Sequence, residues 1–264
     1  MSDLGLSAVK AYGGVAQTLG GMAGGKESGG VSGPGFGDLL NTAVGSLSSA
    51  GNAAGKSPDF IALSDQQTLA LAEFESKPGP FLLFGATGSG KTEVYLHAVA
   101  ALLERDPGAQ ALVMVPEINL TPQLEARFNA RFAPRYGDRS VVSLHSGMTH
   151  PQRLKSWLAA HSGAARIVLG TRMAVFASMP GLKLIVVDEE HDPSYKQQEG
   201  ARYSARDLAV YRGRLDGAKV LLGSATPSLE SWHHSRPATV DDPGGRYTRL
   251  VMPGRIGDAG FPKV

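Results

Sequence analysis

The 264-residue sequence has no cysteine, which rules out disulfides, thiolate metal sites and cysteine nucleophiles. It also has little net charge. The 26 Lys and Arg against 24 Asp and Glu leave a formal +2, so any case for nucleic-acid binding rests on local patches. No apolar run approaches the roughly 18–20 residues that span a bilayer. The N-terminus, Met1-Ser2-Asp3-Leu4-Gly5, lacks the basic start and apolar stretch of a secretion signal. These absences lead to the expectation of a soluble protein of the cytoplasm, without membrane partners. Hydrophobic residues at 42% of a chain this long supply a sizeable core.

Composition changes near residue 57. Residues 1–56 hold 15 of the 34 glycines and no arginine, and a segment so rich in Gly, Ser and Ala buries too little apolar area to offset its chain entropy. A largely disordered leader is the expectation. Within it, Phe36–Val44 places Leu40, Ala43 and Val44 on one helical face behind a candidate N-cap, Asp38, which predicts one short helix of marginal independent stability. Ala11-Tyr12-Gly13 and Gly35-Phe36-Gly37-Asp38-Leu39-Leu40 resemble the N-terminal part of FliE, a flagellar hook–basal body family.

From Ser57 onward the texture is α/β. Apolar runs at 81–84, 111–115, 141–144, 166–169, 182–187 and 220–222 alternate with helix-period stretches at 93–104, 122–132, 151–160 and 205–214. Short continuous apolar strands between helices predict a mainly parallel sheet covered on both faces. Trp157 and Met173, in apolar stretches, read as core.

The strand Phe81-Leu82-Leu83-Phe84 runs into Gly85-Ala86-Thr87-Gly88-Ser89-Gly90-Lys91-Thr92 and then a helix. Glycines at this spacing turn successive N–H groups toward one point and form an anion nest at a helix N-terminus. Gly85, Thr87, Gly88, Ser89 and Gly90 would cradle phosphates, Lys91 would reach the β- and γ-phosphates of ATP, and the Thr92 hydroxyl would join a Mg²⁺ shell. A second signal is the strand 184–187 ending in Asp188-Glu189-Glu190-His191. A buried strand delivers Asp188 to the sheet edge where ligands bind, placing it to hold Mg²⁺ with Glu189 as general base for water. In isolation such a run is a solvated acidic turn; paired with the phosphate loop it reads as catalytic.

Asp-Glu-Glu-His resembles motif II of superfamily 2 helicases, which implies a RecA-like P-loop lobe and assigns Lys91, Asp188, Glu189 and His191 to catalysis. Gly223-Ser224-Ala225-Thr226 resembles the motif that couples nucleotide state to DNA grip, through Ser224 and Thr226. Gly170-Thr171-Arg172 and the run from Val115-Pro116-Glu117 to Thr121-Pro122-Gln123 resemble DNA-contacting motifs, and Leu63-Ser64-Asp65-Gln66-Gln67 the adenine-reading element, with Gln67 as the reader. The stretch 188–207, Val115–Gln123, Leu144-His145-Ser146-Gly147 and 223–231 narrow the resemblance to the PriA family of primosomal replication-restart helicases. That resemblance covers about residues 60–255 and implies 3′-to-5′ unwinding of branched or single-stranded DNA, with primosome proteins as partners.

In the loop after the acidic run, Tyr195, Lys196, Arg202 and Tyr203 combine aromatic faces with cations, a chemistry suited to stacking bases and contacting phosphates. Thr121, Gln123, Thr171 and Arg172 join them as DNA candidates. His145 and Ser146 read either as a backbone contact or as a polar strand end, and Arg127, Arg131 and Arg135 as a solvated helix face or a phosphate track. The expected organisation is a leader (1–56), a first helicase lobe (57–236) and a tail (237–264) where a second lobe would begin. An alternative is a flagellar structural segment fused to an inert helicase piece. Because an arginine from a second lobe is worth ~10³–10⁵ in rate in comparable phosphoryl transfers, the chain alone should bind ATP·Mg²⁺ weakly and turn it over slowly, without unwinding DNA. Helicase-like turnover by the chain, abolished by Lys91→Ala, would refute this expectation.

Overall fold

The computed structural model describes residues 62–254, within the second of two compact units, Pro58–Val264. The short helix expected over 36–44 and the FliE-like stretches lie outside the described residues. Helices α1 (Asp65–Ser76), α2 (Lys91–Arg105), α3 (Pro122–Tyr136), α4 (His150–His161), α5 (Ala205–Asp216) and α6 (Leu229–His234) alternate with strands β1 (Phe81–Gly85), β2 (Gln110–Met114), β3 (Val141–Leu144), β4 (Ile167–Gly170), β5 (Leu182–Val187), β6 (Lys219–Ser224) and β7 (Thr248–Met252). The strands form one sheet in the order β3-β4-β2-β5-β6-β1-β7, and every pairing is parallel. This is the α/β architecture expected from the sequence.

Continuous apolar strands follow from burial on both faces. Phe81, Leu83, Ala111, Val113, Leu184 and Val186 pack on one side with Phe74 of α1, Val94, Leu96 and Val99 of α2, and Phe128 and Phe132 of α3. Leu82, Leu112, Met114, Ile185 and Val187 face the other side, against Ala160 of α4 and Ala205 and Ala209 of α5. Local signals set the helix starts. Ser64 and Gln67 form a capping box for α1, as Thr149 and Gln152 do for α4, and Thr121 caps α3 ahead of Pro122. The last turn of α1 is closed from a distance: Lys219 Nζ donates to the carbonyls of Phe74 and Glu75 at 2.6 and 2.9 Å.

Two features depart from the sequence reading. Thr248–Met252, assigned to the tail, is a seventh strand beside β1, so the sheet runs past residue 236. Its five residues mix Arg and Thr with apolar positions, which hid an edge strand with only Leu250 and Met252 in the core. Trp157 is not core: it is 39% exposed and stacks on His161, one turn along α4, because that helix turns its small residues Ser156 and Ala160 to the sheet. Met173 is half-buried.

One buried polar side chain ties the edge of the sheet opposite the phosphate loop. Gln110 Nε2 donates to the carbonyls of Ala160 and Ala165 at 2.8 and 2.7 Å, and its Oε1 accepts from Gly181 N at 2.9 Å. Gln110→Leu leaves the Ala165 carbonyl and the Gly181 N–H unpaired, while the Ala160 carbonyl still accepts from Gly163 N, and should cost about 2 kcal/mol, at 1–3 kcal/mol per unsatisfied group after partial relaxation. Urea denaturation of the two proteins measures this, and an unchanged midpoint would contradict the account.

Candidate nucleotide site

The cleft at the C-terminal edge of the sheet, about 450 Å³, is lined by Ala62, Leu63, Ser64 and Gln67 at one end and by Asp188 and Glu189 at the other, with the phosphate loop between them. In that loop Gly88 and Gly90 adopt φ of 83° and 79°, a conformation that side chains resist, and Gly90 directly precedes α2. Lys91 is nearly buried. Its Nζ donates to the Gly85 carbonyl at 3.0 Å and lies 3.7 Å from Glu189 Oε1, so the lysine already bridges the loop and the acidic run. Among the described residues the buried Ser89 Oγ has no hydrogen-bond partner.

Gln67 sits at the predicted place, but its amide is engaged. Nε2 donates to the Gly90 carbonyl at 3.1 Å and, more distantly, to that of Ser89, while Oε1 accepts from Ser64 N. The glutamine braces the phosphate loop from behind, and the Ser-x-x-Gln capping box is the sequence signal for that posture.

The three consecutive carboxylates have three different surroundings. Asp188 closes β5 with its carboxyl drawn out of water, and burial, reinforced by the Glu189 charge, raises its pKa above the usual carboxylate range. The Tyr95 hydroxyl, 3.0 Å from Asp188 Oδ1, and Lys91 partly offset that rise. Glu189 has φ of 43°, a left-handed conformation that costs about 1–2 kcal/mol for a residue with a Cβ. The turn carries its carboxylate to Lys91 on one side and, at 3.7 Å, to His191 on the other. Glu190 points away from the cleft and is fully buried, accepting from Ser228 N at 2.7 Å, Ser231 Oγ at 2.9 Å and Arg206 at 3.2 Å. This third carboxylate is structural. Neither it nor its partner Arg206 was singled out from sequence, because a run of acids does not show which one turns inward.

His191 joins the acidic run to the Ser-Ala-Thr element. Its Nδ1 is 2.8 Å from Ser224 Oγ and its Nε2 3.2 Å from Thr226 Oγ1, while Thr226 N donates to Ser224 Oγ. Glu93, also unmarked by the sequence reading, is buried beside the cleft and pairs with Arg127 at 2.7 Å and Arg131 at 2.5 Å. Two of the three helix arginines therefore close on this carboxylate instead of forming a free face, and Arg135 pairs with Glu104.

The DNA candidates are divided by burial. Tyr195 is 1% exposed, its hydroxyl donating to the Asp188 carbonyl at 2.7 Å, so it offers no face for stacking. Its apolar ring and single polar end suit a buried strut equally well, and sequence alone does not separate the two uses. Thr171 is also buried, and Thr121 Oγ1 is engaged as the α3 cap. Arg172 donates to the carbonyls of Ser194 and Lys196 and so holds the loop in place. Gln123, Lys196 and Arg202 are exposed, and Tyr203 meets the exposed ring of Phe176 edge-on at 5.1 Å. Ser146 donates to Glu117 at 3.0 Å.

The DEAD/DEAH box helicase family profile matches residues 64–234, which span the phosphate loop, the acidic run and the Ser-Ala-Thr element. The chain belongs to that family. Among DEAD/DEAH box helicases it is 45% identical over 201 residues to the replication restart protein PriA of Haemophilus influenzae, covering 75% of this chain and 26% of that protein. To the PriA of Bacillus subtilis it is 40% identical over 184 residues, 70% of this chain and 21% of the relative. The match is to the first helicase lobe, and the chain spans about a quarter of the length of these curated relatives. In fold it resembles the DUF1998 helicase MrfA in a structure bound to DNA (TM-score 0.52, 17% identity, 77% of this chain and 29% of that one). It also resembles the DEAD-box helicase Mss116 in a structure bound to ssRNA and UDP-BeF (TM-score 0.52, 18% identity, 84% and 46%). Among the described residues no helix is long and apolar enough to cross a membrane.

The raised pKa of Asp188 has a testable sign. The folded state favours the protonated form, so the associated stability is present in acid and lost as pH rises through the folded-state pKa. At neutral pH the ionised carboxylate therefore works against folding. Asp188→Asn should raise Tm at pH 7–8 by a few degrees, at about 2–4 °C per kcal/mol for a domain of this size, and the gain should vanish in acid. Thermal melts across pH check this; a variant less stable at neutral pH contradicts it.

Proposed function

We propose that this chain is the ATP-binding lobe of a PriA-type 3′-to-5′ DNA helicase acting in replication restart in the cytoplasm, with branched or single-stranded DNA and primosome proteins as partners. The observation that carries the reading is the convergence of Lys91, Thr92, Asp188 and Glu189 on one cleft, with Lys91 bridging loop and acidic run at 3.0 and 3.7 Å.

The residues suit a magnesium nucleotide. The glycine nest and Lys91 would take the phosphates, and Thr92 and Asp188 would hold Mg²⁺. No cluster of three or more acidic or histidine side chains able to hold a metal occurs among the described residues. The ion, when bound by Thr92 and Asp188, would supply neutralisation of the charge developing on the transferred phosphoryl group. Glu189, aimed into the cleft by its left-handed backbone, orients water and takes its proton. His191 links that carboxylate to Ser224 and Thr226 and so to DNA occupancy. The exposed Gln123, Lys196 and Arg202 and the half-buried Tyr203 are the groups offered to DNA, with Tyr195, Thr171 and Arg172 supporting them from within.

Fluorescence anisotropy of a labelled ATP analogue tests this. The chain should bind it with Mg²⁺, Lys91→Ala should weaken binding at least about tenfold, and forked DNA should shift the nucleotide affinity reciprocally. Equal binding by wild type and Lys91→Ala would sink the assignment.

A further inference from the structure

Asp188 is held by more groups than its acidic neighbours explain. Its N–H donates to the Met114 carbonyl at 2.9 Å, its carbonyl accepts from the Tyr195 hydroxyl at 2.7 Å, and its Oδ1 accepts from the Tyr95 hydroxyl at 3.0 Å. Tyr95 lies one helical turn beyond Lys91 on α2 and is 1% exposed. Its ring packs in the core, and its hydroxyl, a protonated phenol, donates this bond.

The same hydroxyl lies against Gly223, the first residue of the Gly-Ser-Ala-Thr element. A Cβ at Gly223 would fall 1.6 Å from the Tyr95 hydroxyl oxygen and 2.7 Å from the ring carbon that bears it. No side chain fits there while the tyrosine is in place. Gly223 also accepts from Glu190 N at 3.0 Å, and the next residue, Ser224, bonds His191. The end of β6 therefore touches both ends of the acidic run, His191 through Ser224 and Asp188 through the Tyr95 hydroxyl.

Resting on the nucleotide reading above, we infer that Tyr95 is the positioning residue for the metal-holding carboxylate and that Gly223 sets where its hydroxyl stands. By engaging Oδ1, Tyr95 stops the carboxylate rotating and leaves Oδ2 for the ion. A shift of β6 relative to α2 moves the hydroxyl and with it the carboxylate, so the Ser-Ala-Thr element acts on metal binding as well as on His191. A merely structural Tyr95 would fill core space with its ring, a role phenylalanine performs equally well.

The experiment is a Mg²⁺ titration of ribose-labelled ADP binding to the full chain, followed by anisotropy beside a metal-free series in EDTA. The proteins are wild type, Tyr95→Phe, Gly223→Ala and the double variant, with Asp188→Asn as reference and circular dichroism melts to verify folding. Tyr95→Phe is expected to keep its metal-free ADP affinity and to need about tenfold more Mg²⁺, as for loss of a group that orients a metal ligand. Gly223→Ala is expected to show the same Mg²⁺ defect, and the double variant, in which the added Cβ still meets the ring carbon at 2.7 Å, at least that of Tyr95→Phe. An unchanged Mg²⁺ requirement in Tyr95→Phe, or an equal loss with and without metal, overturns the inference even if Gly223→Ala fails to fold. A wild type that binds ADP identically with and without Mg²⁺ overturns the reading beneath it instead.

Discussion

Parallel pairing is the constraint on which the rest of this protein depends. Because all seven strands run the same way, the C-terminal ends of β1, β5 and β6 open on one edge, and each delivers a different chemical element there. β1 ends in the phosphate loop, β5 in the acidic run, and β6 in Gly-Ser-Ala-Thr. β6 lies between the other two, hydrogen-bonded to both. The site is assembled by backbone ladders, and side chains then tune it. That order explains why a buried carboxylate that works against folding is tolerated at the end of β5: the ladder on either side fixes the strand whatever its last residue prefers.

Much of this was legible in the sequence because its signals are periodic or local. Apolar runs of three to six residues marked six strands, since a strand covered on both faces has no polar alternation to blur it. The phosphate loop declared itself through glycine spacing between a strand and a helix, and the acidic run through its place at a strand end. What was not legible depended on direction. Glu190 and Asp188 lie two residues apart in one run, yet one is sealed against Arg206 and the other faces the cleft; the left-handed turn at Glu189 decides which, and backbone sign is not written in residue type outside glycine. Tyr195 reads as a stacking surface by chemistry and is a strut by burial. The edge strand β7 was missed for the opposite reason: half-covered and carrying Arg249, it lacks the apolar continuity of its neighbours.

Polar groups here are arranged so that few act alone. Gln67 caps its own helix and braces the loop, Lys91 touches loop and acid together, and His191 engages two hydroxyls of the following element. Such sharing makes single substitutions non-additive, because each removes one partner from two contacts.

The position of β1 has a consequence for biosynthesis. Among the described strands, this one, which carries the phosphate loop, has as neighbours only β6 and β7, the last two of them to be made. At ordinary translation speeds of about 5–20 residues per second, Phe81-Leu82-Leu83-Phe84 waits roughly 10–30 s after its own synthesis before either edge can be paired. The far end of the sheet, β2 with β4 and β3, can zip together earlier on the ribosome, but its phosphate-loop flank cannot. An apolar, unpaired strand exposed for that long is what holdase chaperones bind, so the yield of folded protein should depend on chaperone supply more than its final stability would suggest.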